Sequence, residues 1–183
     1  MRRFWIDSSC RQGEKFFLTD QLFHHVCRVS RLQKGELFEL LAGGCVRYTV
    51  KLDSVSRFKA TALIVKSNPA PPLDRPYLHL ALSLPRLHKL DNILEKAVEL
   101  GVKDFHPFIS QLSFFKDENQ VPVNRPKRWK NIIEKASAIS GRTEVLTLHP
   151  PQKLQNIRVP KNHRAFMAYE GSSGERLQKV LER

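Results

Sequence analysis

Cysteine is scarce. The 183 residues hold three, Cys10, Cys27 and Cys45, an odd number with no CxxC spacing. That excludes a disulfide framework and a zinc ribbon. Long apolar runs are missing too: nothing approaches the roughly 18 apolar residues of a membrane span. The opening MRRFWIDSS is positively charged with no apolar run behind it, so no secretory leader is expected. A reducing, cytoplasmic setting away from the membrane follows as the expectation. The sequence also lacks GxGxxG after a strand, GxxxxGK followed by Ser or Thr, HExxH and GxSxG. The usual nucleotide, metalloprotease and hydrolase readings lose their support.

Acidic charge is in deficit. Eighteen Asp and Glu face 31 Lys and Arg, a formal net charge of +13. The excess is shared between residues 1–68 (+6) and 69–183 (+7), so it belongs to the whole molecule and not to a tail. An extended polyanion, nucleic acid above all, is the partner such a distribution suits. A hydrophobic fraction of 41% supplies enough apolar material for a folded core.

Proline divides the chain. KSNPAPPLDRP (66–76) has four prolines and no periodicity, so neither a helix nor a central strand continues through it. We place a linker at 69–76. Before it, ELFELLAGG, VRYTVKLDSV and FKATALIVKS read as short strands punctuated by glycine, which predicts a small all-β barrel over 1–68. TDQLFHHVCRVSRL reads as helical, capped by Thr19 or Asp20, with Leu22, Val26 and Val29 near helical spacing. After the linker, YLHLALSL and VKDFHPFIS read as buried strands. Leu90, Ile93, Leu94, Ala97 and Val98 form one helical stripe ended by Gly101. Trp129, Ile132, Ile133 and Ala136 form another, with Pro126 near its start and Gly141 at its stop. EVLTLHP and RAFMAYE are two further strand candidates, and GERLQKVLER a last amphipathic segment. Alternating strand and helix predict an α/β domain with a mostly parallel sheet over 77–183.

HHVCRVSRLQKGE (24–36) gathers the most chemistry. His24 and His25 are adjacent, so on a helix they point about 100° apart and seldom share one ion with Cys27. No metal ligand set is assigned. Arg28 and Arg31 are three apart, so a helix presents both on one face. Lys34 follows, and Arg2 and Arg3 join from the N-terminal strand. These five are the predicted RNA-backbone contacts, because guanidinium and ammonium groups neutralise phosphate. Lys127, Arg128 and Lys130 flank Trp129, which reads as core. Arg142, after Ser140-Gly141, is read either as a site residue at a helix end or as a cation answering the helix dipole.

MRRFW, HHVCRVSRLQKGE and LAGG resemble the N-terminal barrel of the RsmE family, SPOUT-class methyltransferases of small-subunit ribosomal RNA. LSLPRLHKLDNILEKAVELGV is similar to that family's Leu-Pro-Lys/Arg strand end and the helix after it. KRWKNIIEKASAISGR is similar to its Arg-Trp to Ser-Gly-Arg segment. The resemblance implies a PUA-like RNA-binding barrel followed by an α/β domain with a trefoil knot. It implies S-adenosyl-L-methionine as cofactor, methylation at N3 of a uridine, small-subunit ribosomal RNA as partner, and a homodimer. Arg142 and Arg86 are then the candidate catalytic residues, holding the RNA or the developing uracil anion. The sequence departs from the pattern at Gln111-Leu112, Ile139 and Leu146, and the Gly-Pro-Glu-Gly-Gly-type knot segment that binds the donor is not found. The expectation is therefore a partial α/β domain with an incomplete donor pocket. The alternative expectation is a non-catalytic RNA-binding module on the same domains.

Overall fold

A computed structural model describes residues 1–43, 45–168 and 179. Its strands and helices run β1 (Arg3–Ile6), β2 (Arg11–Gln12), β3 (Lys15–Leu18), α1 (Asp20–Phe23), β4 (Leu37–Ala42), β5 (Val46–Val55), β6 (Ala60–Pro69), β7 (Leu78–Ser83), α2 (Leu87–Glu99), β8 (Val102–Ile109), α3 (Arg125–Ser140), β9 (Thr147–Leu148) and β10 (Gln152–Lys153).

The first six strands form one sheet in the order β1-β4-β5-β6-β3-β2. All neighbours are antiparallel except β1 and β4. Side chains alternate across a strand, so every second residue enters a common interior. Phe16 and Leu18 of β3, Phe38 and Leu40 of β4, and Val50 and Leu52 of β5 are fully buried there. Phe4 meets Phe38 edge-on, with ring centroids 5.8 Å apart. Two irregularities in the β5–β6 ladder, at Thr49/Val50 and Leu52/Ser54, bend the long hairpin so that the sheet curls around this core. The expected strands are all present. β6 continues to Pro69, one residue into the expected linker.

The segment after β3 departs from a regular helix. α1 covers one turn, and His24–Val29 continue as a π-type turn with wider hydrogen bonds, such as Ser30 N–H to His25 O at 2.9 Å. Widening rotates later side chains away from the 3.6-residue stripe. Val26 is buried, as its place on the stripe predicts, and Phe23 with it, whereas Val29, expected on the same stripe, is 58% exposed.

The second unit is a parallel sheet. β7 pairs with β8, and the far side of β8 pairs first with β9 and then with β10. His149-Pro150-Pro151 interrupts what is otherwise one edge strand, as proline requires. α2 and α3 pack on each other and cover one face. Leu90, Leu94, Ala97 and Val98 of α2, with Trp129, Ile133 and Ala136 of α3, close over Leu84 and Phe105. Gly101 and Gly141 both take positive φ, 81° and 78°, at the helix ends where the stripes stop. The strand expected at 164–170 is not formed over Arg164–Ala168; Tyr169 and Glu170 lie outside the described residues. An apolar run signals burial but does not supply a strand to pair with. The expected amphipathic segment at 174–183 also lies outside them, apart from Lys179.

The two cores stay separate, residues Phe4–Ala62 and Leu84–Leu146. They meet where α3 packs against β1 and at a seam beside it. Ala70 N–H donates to Cys45 O at 2.8 Å, and Leu73 N–H to Glu144 Oε1 at 3.4 Å. The Cys45 thiol, its pKa raised by burial and by the same carboxylate, donates to Glu144 Oε1 at 3.4 Å.

Candidate functional site

The predicted basic residues of the first unit divide into two kinds. Arg2, Arg28, Arg31 and Lys34 are exposed. Arg3 is half-buried and holds Glu39 across the β1–β4 pair at 2.9 Å. It is thus a structural ion pair, with less of its charge free for phosphate. Arg2 reaches the carbonyl of Ser30, which sets it beside Arg31 although 29 residues of sequence separate them. Arg28 and Arg31 were expected on one helical face. The structure corrects this: the π-type turn ends before Arg31, which adopts φ +52° outside it. Arg28 turns instead toward the β5–β6 hairpin tip, where Nη2 donates to Arg57 O at 3.4 Å.

That tip supplies residues the sequence reading missed. Phe58 is 72% exposed between Arg57 and Lys59. The Arg57 guanidinium lies over its ring at 5.1 Å. Thr19, Asp20, Ser56, Arg57, Phe58 and Lys59 line an open cleft of about 560 Å³. An exposed aromatic flanked by cations is the element that stacks on an unpaired base. The signal was visible as RFK between two strands, but only the fold brings it to Arg28.

Arg86 and Arg142 stand at opposite edges of the parallel sheet. Arg86 precedes α2, just past the carboxyl end of β7, and its guanidinium lies 5.5 Å from the Phe114 ring. This is the edge at which open parallel sheets hold ligands. Below it, the hydroxyls of Ser83, Ser110 and Ser113 form a closed triangle with sides of 2.8 to 3.1 Å. Leu112, at 96%, Phe114 and Val123 are exposed on the loops there.

Arg142 follows α3 and leads into β9, which places it at the amino edge. The eight residues of β8 separate the two edges by roughly 25 Å at about 3.3 Å per residue. Arg142 is 8% exposed. Its Nε donates to Glu144 O and its Nη1 to Val98 O at 3.3 Å, so it ties the end of α2 to the loop after α3. Burial lowers its pKa, and Glu144 and Asp104 oppose that shift. The topology sets the two candidates, Arg86 and Arg142, apart within a single chain. A helix-to-strand loop returns the chain to the start of the next strand. Arg142 lines a cleft of about 190 Å³ with Pro71, Pro72, Glu99, Gly141 and Glu144, which is the seam between the two units.

Gly141 has two constraints. Its positive φ closes α3, and a Cβ there would sit 2.9 Å from Nη1 of Arg3. The Ser-Gly-Arg stretch therefore joins helix end, curled sheet and α2 at one point.

The RNA methyltransferase domain profile matches residues 73–182. The Ribosomal RNA small subunit methyltransferase E of Bacillus subtilis is 29% identical over 182 residues, covering 94% of this chain and 70% of the relative. The protein of the same name from Aquifex aeolicus is 28% identical over 166 residues, covering 88% and 69%. Among solved structures, a Ribosomal RNA small subunit methyltransferase E from Neisseria gonorrhoeae, bound to S-adenosyl methionine, gives a TM-score of 0.70 at 26% identity. It matches 82% of this chain, which in turn spans 61% of that structure's length.

Proposed function

We propose a function from one premise: the chain belongs to the RNA methyltransferase domain family. Our reading is transfer of a methyl group from S-adenosyl-L-methionine to N3 of a uridine in small-subunit ribosomal RNA. The family match over residues 73–182, joined to a curled sheet with a cationic rim, is the observation that carries it. The first unit acts as a PUA-like RNA-binding barrel. Arg2, Arg28, Arg31 and Lys34 meet phosphates, which gives affinity and register but not base choice. Arg57, Phe58 and Lys59 extend that rim toward unpaired bases. Cytoplasmic ribosome assembly is the setting in which such a substrate is met.

N3 of uridine carries a proton and is a poor nucleophile until it is lost. A site for this reaction must hold the base and stabilise negative charge on the uracil ring. Arg86 is suited to the second task. It is exposed at the carboxyl edge, and a guanidinium stays charged at neutral pH. Arg142 serves as a positioning residue, fixing α2 and the seam from behind. S-adenosyl-L-methionine supplies the methyl group when bound. At the carboxyl edge the three serine hydroxyls bond to one another. Exposed Leu112, Phe114 and Val123 support a homodimer that covers this edge.

The test is methyl transfer in vitro from a labelled donor to small-subunit and large-subunit ribosomal RNA. Label at uridine N3 of the small-subunit RNA, lost in Arg86→Ala, supports the proposal. Tight RNA binding with no donor binding and no transfer favours the non-catalytic module. Label confined to large-subunit RNA contradicts the substrate.

A further inference from the structure

The face of the parallel sheet turned away from α2 and α3 carries histidine where an apolar layer is usual. After the register irregularity at the start of β8, alternation sends Phe105 and Pro107 inward and projects Asp104 and His106 to this face. The β7–β8 register pairs His79 with Asp104. His149 follows β9, with its backbone N–H on Phe105 O at 2.9 Å. Asp104 spans two imidazoles: Oδ2 lies 3.2 Å from His79 Nδ1, and Oδ1 lies 2.9 Å from His149 Nε2. The His106 ring stacks on His149 at 4.0 Å, and His163 meets His79 edge-on at 4.7 Å.

We propose that His79, Asp104 and His106 bind a divalent transition-metal ion of the zinc class, with His149 orienting the carboxylate. One ligand atom from each of the three lies within 4.8 Å of the others. Two imidazoles and a carboxylate are a ligand set that zinc and its first-row neighbours accept. Bonds of about 2.0–2.1 Å place tetrahedral ligand atoms about 3.3 Å apart, so small side-chain rotations close the site. His79 Nε2 and His106 Nδ1 are buried and bond to nothing among the described residues. Such atoms are costly to leave bare, and a cation satisfies them. An outer group bonded to a ligating carboxylate is the usual second layer of such sites, and His149 fills that place. His24 and His25 provide a contrast: His24 is exposed, and among the described residues neither belongs to a cluster of three ligand groups. The site is independent of methyl transfer.

The experiment strips the chain with chelator, then titrates it with Zn²⁺ by calorimetry and with Co²⁺ by visible absorption. One equivalent should bind, and the Co²⁺ d–d bands should appear. Both signals should vanish in His106→Gln and Asp104→Asn. His149→Gln should weaken binding by about 10–100-fold. The His24→Gln/His25→Gln double variant should bind as the parent does. Far-UV circular dichroism checks each fold, and His79→Gln replaces any variant that fails it. Absence of stoichiometric uptake by the parent overturns the site. So does uptake that survives loss of His106 and Asp104, or that disappears with His24 and His25.

Discussion

Gly141 and Arg142 are neighbours that do different work. Among the described glycines, Gly141 alone combines a left-handed backbone with a close approach to Arg3. Gly141→Ala should lower stability by about 1–2 kcal/mol from backbone strain alone, read as a lower urea midpoint. An unchanged midpoint would mean the seam yields freely. Arg142→Ala leaves the carbonyls of Val98 and Glu144 without their donor. A buried group left unpaired costs about 1–3 kcal/mol, so thermal unfolding should fall by several degrees. RNA affinity should stay near the parent value, and a large loss of affinity with normal stability would return Arg142 to the RNA surface. Phe58 is the reverse case. Exposed as it is, Phe58→Ala should leave stability alone and weaken single-stranded RNA binding by about 1–3 kcal/mol in a fluorescence titration. Equal binding by the variant would remove the stacking role.

Among the elements, α2 and α3 were the most legible. Each carries a full apolar stripe, and each stops at a glycine that alone tolerates the terminal conformation. Three signals were weaker. The π-type turn at His24–Val29 is encoded in hydrogen bonds one residue wider than the periodicity assumes, so Val29 was misplaced. β9 forms inside EVLTLHP, as expected, but keeps only two residues of it, and β10, also two residues, is too short for any alternation to show. The histidine face needs the β7–β8 register, which brings His79 to Asp104 across 25 residues of sequence. The turn has its own pH signature. Burial lowers the His25 pKa, with Lys135 and His24 adding to the effect. A histidine held neutral in the folded state lets the unfolded chain bind the extra proton. Stability from this group is therefore complete above the ordinary value of 6.5 and declines as pH falls below it. His25→Gln should flatten that acid-side decline in thermal melts between about pH 6.5 and 5. A parallel decline in parent and variant would assign it to other groups.

For the whole molecule, the charge totals reported on a partner, and the fold shows how the charge is arrayed. A curled sheet with a cationic rim stands beside a parallel sheet whose family transfers methyl groups to RNA. Neither composition nor periodicity located Arg86 and Arg142 at opposite edges, because that depends on which way each loop returns to the sheet. The central claim is that the rim holds RNA by its phosphates. It is tested most directly by the salt dependence of binding to a single-stranded small-subunit ribosomal RNA fragment, for the parent chain and for Arg2→Ala/Arg31→Ala. Each lost phosphate contact removes about 0.7 from the log–log slope on a single strand, so the double variant should be flatter by about 1.4. Superimposable slopes for the two proteins would contradict the claim.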